Sequence, residues 1–409
     1  MQGYIKALLP LILLTNLFVR AQKTIFLYTD GYKDEKYYAQ FTLGNNNSIY
    51  NFTFYMLLNA SSVLSTEFPT KKFSAEDEFL YFKGYDCEAS DGCQDTGIFE
   101  EIIQFGNIGN IGDTKRDTIK YQSEQAIVTT QILQQKELSD FSKMTLNIIY
   151  NTTNFYDCIN NQFVYSNTIG LGDLVTPSGF LSQLGVDKYY IYYGNSSQFE
   201  SQMNFGQPNT TLIKTGGFKI SIKQFYLYGS LYYQGFYGKL WIPNFETDDD
   251  FVSDIYQIVI DNQLLRQGIV VPQILWDSMR AYYKSQGYQV ADCYGPCGPN
   301  QPILIRNSIV KPMNQKLVLV YNNTAINIDL STLTTPYNLT FNNLWIVTEY
   351  DQNTISFGKE LFIQYYIEKD LTQNTLTLYE KAVKQSPSSP PHSPEQETES
   401  ASYSLKFLD

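Results

Sequence analysis

Histidine is almost absent from this chain. One residue of 409, His392, carries an imidazole. It sits in a Ser/Pro/Glu-rich stretch, residues 386–404, whose composition offers too little apolar surface to fold and predicts disorder. Nucleophilic Ser–His–Asp and Cys–His chemistry is thereby left without its base, and histidine-bound zinc or iron without its ligands. Should the chain catalyse anything, carboxylates are the acid–base groups at hand. Cations are also short. Lys and Arg number 29 against 41 Asp and Glu, a net charge of −12, the opposite of the clustered positive charge that a nucleic-acid partner needs. The acidic balance reads first as solubility.

Long apolar runs are missing after the first 21 residues. Lys6 precedes ALLPLILL at 7–14, and the run continues through Leu17, Phe18 and Val19 to a small-residue boundary at Ala21. A basic start, a short apolar core and a small-residue end predict a secretory signal peptide over residues 1–21. The run is too short for a good membrane span, and no later segment approaches that length. The expectation is an exported, secreted or lysosome-like vacuolar protein without a membrane span. Eight Asn-x-Ser/Thr sequons agree with export: Asn46, Asn51, Asn59, Asn151, Asn195, Asn209, Asn322 and Asn338.

Cysteine is scarce as well, at five residues. Cys87 and Cys93 bracket a short polar loop, and Cys293 and Cys297 bracket Tyr-Gly-Pro. Two short-loop disulfides with Cys158 unpaired suit an oxidising compartment. A four-thiolate zinc site has neither the usual spacing nor a supporting histidine, so no metal and no cofactor are expected.

What is abundant is aromatic. Hydrophobic residues make up 43% and aromatics 15% of the chain, with 34 Tyr and 26 Phe, a composition that favours strands. Short apolar or alternating runs recur between turn formers at 52–58, 146–150, 188–193, 218–222, 255–260 and 317–321, the signal of a mainly β architecture. The best helical segment is 272–283, with Pro272 suited to a first turn and Leu275, Met279 and Tyr282 on one face. The length predicts two lobes with a boundary near 207–214.

YYAQFTLG at 37–44, FGNIGNIG at 105–112 and TIGLG at 168–172, in that order, resemble motifs of the pepsin-like aspartic proteases. YYAQFTLG at 37–44 is similar to that family's opening strand, and FGNIGNIG at 105–112, followed by Asp117-Thr-Ile119, is similar to its flap hairpin. TIGLG at 168–172 resembles the segment that packs behind the first catalytic loop. Phe357-Gly358, Phe362, Tyr365-Tyr366 and Asp370 resemble the closing stretch, and Cys87 and Cys93 fall where the family often has a disulfide loop. No single motif is specific, but their order across residues 37–381 is consistent. The resemblance implies a mainly β, bilobal fold with a cleft between an N-terminal lobe at 22–206 and a C-terminal lobe at 207–381, followed by a tail at 382–409. The glycines at 106, 109 and 112 fit neither Gly-x-Gly-x-x-Gly nor a P-loop.

The resemblance also implies a chemistry that this chain lacks. Aspartic proteases use two carboxylates sharing one proton, one from each lobe. In the first lobe the alignment puts Leu58, Asn59 and Ala60 where Asp, Thr and Gly belong, with Ser61 and Ser62 retained. In the second, counting back from Pro272 puts Gln263 at the Asp position, and the nearest carboxylate, Asp261, is two residues out of register. Phe105, beside Gly106, replaces the flap tyrosine. The resemblance therefore implies an exported pepsin-like homologue without peptidase activity, a monomer that binds a peptide or protein in its interlobe cleft. Two other readings stay open: an active endopeptidase with an unorthodox dyad, and a structural surface protein. The acidic run at 246–250 lacks calcium-loop spacing and reads as a solvated turn. The aromatic stretch at 225–237 reads as a packed β-hairpin.

Overall fold

The structure, a computed structural model, describes residues 23–29, 37–45, 48–58, 60–67, 84–110, 113–128, 130–132, 143–153, 167–172, 179–194, 201–226, 234–241, 255–262, 269–285, 289–292, 303–308, 316–329, 334–338, 341–349 and 354–382. The signal-peptide and acidic-turn segments and the tail from residue 383 lie outside them, as do Cys158, Cys293, Cys297, Gln263, Asn46, Asn59 and Asn195. The described chain is mainly β, in two large sheets.

The chain passes twice through one strand diagram. The first pass runs through β1 (Lys23–Thr29), β2 (Tyr37–Leu43), β3 (Ile49–Tyr55), β4 (Ser62–Leu64), β5 (Cys93–Asn110), β6 (Asp113–Val128), β7 (Thr130–Ile132), β8 (Met144–Thr153) and β9 (Thr168–Gly170). A short helix, Phe180–Leu184, then leads to β10 (Lys188–Tyr192) and β11 (Ser201–Phe205). The second pass holds β12 (Lys219–Lys223), β13 (Phe225–Tyr226), β14 (Gln234–Trp241), β15 (Tyr256–Ile260), β16 (Ile269–Pro272), β17 (Gln289–Asp292), β18 (Ile303–Ser308) and β19 (Lys316–Tyr321). It ends with β20 (Thr324–Asp329), β21 (Thr334–Asn338), β22 (Phe341–Glu349), β23 (Thr354–Phe357), the helix Lys359–Gln364, β24 (Tyr365–Asp370) and β25 (Thr375–Glu380).

Neighbours match between the passes. The order β2-β3-β9-β4-β8-β6-β5 recurs as β14-β15-β23-β16-β22-β18-β17. The sense of pairing matches too: β3–β9 and β15–β23 are parallel, β4–β9 and β16–β23 antiparallel, β4–β8 and β16–β22 parallel. Parallel neighbours cannot be joined by a tight turn, which is why each pass inserts a long excursion before its chain returns beside β3 or β15. β13 pairs with β14 as the end of β1, Tyr28–Thr29, pairs with β2, so β12 and β13 together match β1. The helix Gln273–Ser285 and strands β20 and β21 have no counterpart among the described elements of the first pass.

The passes join in a six-strand run, β12-β25-β24-β10-β11-β1, symmetric about the antiparallel β10–β24 pair. Tyr-Tyr-Ile occurs in both central strands, at 189–191 and 365–367. Their residues are buried almost without alternation, as expected when both faces of a sheet are covered. One face meets the core. Over the other runs the connection between the passes, whose Leu212 packs among Tyr190, Tyr192 and Tyr366. Asn209 N donates to Tyr366 Oη at 3.1 Å, and Lys214 N donates to Glu380 O at 2.9 Å.

The first-pass core is an aromatic interlock. Phe54 meets Phe41, Phe180 and Phe205 with ring centroids 5.8–6.4 Å apart, tilted or edge-on. Each such buried ring contributes about 2–3 kcal/mol of transfer free energy. The expected helix at 272–283 forms as Gln273–Ser285, burying Leu275 and Met279 with Tyr282 packed at the margin. Pro272 is the last residue of β16 rather than a helix first turn. The Cys87–Cys93 disulfide is present. No helix among the described residues is long and apolar enough to cross a membrane.

Candidate functional site

The two passes touch where equivalent strands end. Tyr55 is the last residue of β3, and Asp261 immediately follows β15. Each strand is held there by its parallel neighbour: Leu171 N donates to Tyr55 O at 2.9 Å, and Asp261 N donates to Phe357 O at 2.9 Å. Across the junction, Tyr55 Oη donates to Asp261 Oδ2 at 3.3 Å. Asn262 brackets Tyr55, with its Nδ2 donating to Phe54 O at 2.6 Å and its Oδ1 accepting from Met56 N at 3.1 Å.

These groups are enclosed. Tyr55 is 5%, Asp261 3% and Asn262 1% exposed. Asn262 Nδ2 also lies 3.4 Å from Tyr193 Oη. Burial raises the Tyr193 hydroxyl above its usual range; the Asn262 contact opposes the shift and the Asp261 charge adds to it. Tyr193 in turn stacks flat on Tyr37, with centroids 3.8 Å apart.

Leu58 lies beyond this junction. Its side chain is half-buried, and its carbonyl accepts from Gly172 N at 2.7 Å. Ala60 is half-buried, and Asn59 lies outside the described residues. Ser61 is buried and structural: its Oγ accepts from Gly170 N at 3.1 Å and its carbonyl from Asn147 N at 2.9 Å. Of the residues singled out in the sequence, Asp261 is at the junction and Leu58 is not. Tyr55 and Asn262 escaped sequence reasoning. The signal for Tyr55 was its place at the end of an apolar strand, matching the step from Ile260 to Asp261.

Phe105 and Gly106 belong to the β5–β6 hairpin, opposite Thr118 and Asp117, so the expected hairpin forms. Their side-chain environment lies outside the described residues. Phe225–Tyr226 pairs with Gln234–Gly235 as a hairpin; Phe236 is buried, whereas Phe225 and Tyr237 stack on the exposed face. The sequons fall in different settings. Asn322 sits exposed with positive φ in the β19–β20 turn, whereas Asn51 is half-buried in β3. Asn209 Oδ1 accepts from the hydroxyl of Thr211 in its own sequon at 2.7 Å. Asn151 and Asn338 are described only as backbone of β8 and β21. Among the described residues no three His, Cys, Asp or Glu side chains group as metal ligands.

No protein-family model matches the chain, and no curated protein matches it in sequence. Any reading of function therefore rests on the junction and on the sequence motifs.

Proposed function

We propose that the chain is a pepsin-like aspartic-protease homologue without peptidase activity, exported as a monomer, whose cleft between two similar lobes holds a peptide or protein. The observation that carries this reading is the unequal pair at the junction: a phenol, Tyr55, facing a carboxylate, Asp261. Water activation by a shared-proton dyad needs two carboxyl groups. The doubled strand diagram supports the two-lobed reading, because each pass brings one strand end to the junction.

Incubation with a peptide library at acid pH tests it. The expected result is retention of a subset of peptides, uncleaved. Cleavage blocked by an aspartic-protease transition-state mimic would sink the proposal, and retention without sequence preference would favour a structural role.

One observation favours a second reading. Asp261 is still a carboxylate, buried in the right half of the junction. An atypical enzyme would pair it with the Tyr55 hydroxyl, and its cleavage would vanish in both Tyr55→Phe and Asp261→Asn.

A further inference from the structure

We infer that Tyr55 alone silences this junction, standing in for one member of a two-acid centre whose other member, Asp261, is retained. The inference rests on the pepsin-like reading above and narrows the loss from two positions to one.

The geometry is reciprocal at this residue pair. Tyr55 closes β3 and Asp261 follows β15, the equivalent strand of the second pass. Asn262 binds the backbone on both sides of Tyr55, at Phe54 O and Met56 N, so the two segments face each other at Tyr55 and not at Leu58. The Tyr55 hydroxyl then meets Asp261 Oδ2 at 3.3 Å.

Two carboxyl groups within hydrogen-bond reach of each other cannot both ionise, and they share a proton. A phenol and a carboxyl differ by about 6 pH units in intrinsic acidity, so a phenol beside a carboxylate keeps its proton. At this junction the proton facing the Asp261 carboxylate belongs to the Tyr55 phenol, which donates to Asp261 Oδ2, where a dyad would share a proton between two carboxyl groups.

Tyr55→Asp supplies the missing acid. Asp261 would take a proton from water as the water oxygen bonds to the scissile carbonyl carbon, while the introduced carboxyl protonates the carbonyl oxygen. On collapse the C–N bond breaks, the leaving nitrogen takes the proton held by Asp261, and a diol hydroxyl returns its proton to the introduced carboxylate.

The experiment compares the full-chain wild type, Tyr55→Asp, Tyr55→Asn and Tyr55→Asp/Asp261→Asn on an internally quenched peptide library between about pH 3 and 5, where such dyads carry one proton. Tyr55→Asp should cleave about a hundredfold faster than Tyr55→Asn, the scale that one positioned acid supplies. The double variant should lose the gain, and a peptide bearing a tetrahedral hydroxyl in place of the scissile carbonyl should block it. A folded Tyr55→Asp protein that neither cleaves nor binds that mimic better than Tyr55→Asn overturns the inference and leaves the proposed function standing. Cleavage by the wild type overturns the proposed function itself. Should Tyr55→Asp not fold, unfolding midpoints of Tyr55→Phe, Asp261→Asn and their double variant read the same pairing. The double drop should match the larger single drop, and strict additivity would overturn the inference.

Discussion

Asn262, from the second pass of the chain, donates its side-chain amide to the carbonyl of Phe54, in the first pass, at 2.6 Å. The same side chain accepts from Met56 N at 3.1 Å, so one buried carboxamide satisfies two backbone groups across the junction. Asn262→Ala strips both partners and leaves buried polar groups unpaired, a loss of about 2–4 kcal/mol in urea unfolding. Asn262→Asp retains an acceptor for Met56 N but faces Phe54 O with a second acceptor, so the restored shape should bring no recovery.

Lys369 gives a pH signature. Its ammonium is buried among three amide oxygens: Gln224 Oε1 at 2.5 Å, Gln234 Oε1 at 2.6 Å and Asn374 Oδ1 at 3.0 Å. Burial pushes its pKa from 10.5 to about 7, against the raising effect of Asp370 and with the lowering effect of Lys223. Between those values the unfolded chain binds more protons than the folded one, so stability rises with pH across the window. The expected gain is on the order of 2–5 kcal/mol from pH 7 to 10.5. In Lys369→Met, urea midpoints over that range should lose this upward slope; an unchanged slope would assign it to other groups.

Lys381, a half-buried residue, clamps the passes together through its enclosed ammonium. Its Nζ donates to Tyr193 O at 2.6 Å, Phe362 O at 2.8 Å and Ile363 O at 2.5 Å, and lies 4.3 Å from the Tyr192 ring centre. Phe362 and Ile363 lie in the last turn of the helix Lys359–Gln364, where carbonyls lack helical partners. Burial holds the ammonium well below its usual pKa, but its three donors match three acceptors. Lys381→Met keeps the bulk and removes every donor. The expected cost is about 2–4 kcal/mol by thermal or chemical unfolding.

Two glycines separate steric from conformational cost. Gly44 has φ +69°, and a Cβ there would lie 2.1 Å from Ser90 Oγ and 2.9 Å from Asp91 O. Gly97 has nearly the same φ, +68°, with nothing within 4 Å of such a Cβ. Gly97→Ala should cost about 1 kcal/mol from backbone strain alone. Gly44→Ala should cost roughly 2–4 kcal/mol, because the loop closed by Cys87–Cys93 has to move as well. Equal losses in the two variants would show that this loop yields freely.

Strand positions were legible in the sequence to within a few residues. The run at 317–321 forms β19 (Lys316–Tyr321), and that at 146–150 lies within β8 (Met144–Thr153). Apolar residues between turn formers lead to the same local outcome wherever a partner strand exists. The site was legible only as a region. The run expected at 52–58 stops pairing at Tyr55 because its partner β9 ends at Gly170, more than a hundred residues later in the chain. Leu58 therefore falls three residues past the strand end, and an ungapped count from Ser61 or Pro272 cannot detect such a slip.

Composition and local pattern determined the β class, the small Cys87–Cys93 loop and the poverty of imidazole and cationic chemistry. Those properties depend on residue type and on neighbours a few positions away. Only the tertiary structure decided that the chain repeats its strand diagram, and that Tyr55 rather than Leu58 faces Asp261. Parallel pairing joins segments far apart in sequence, so the end of a strand, and the side chain presented there, depends on a partner that no local window contains.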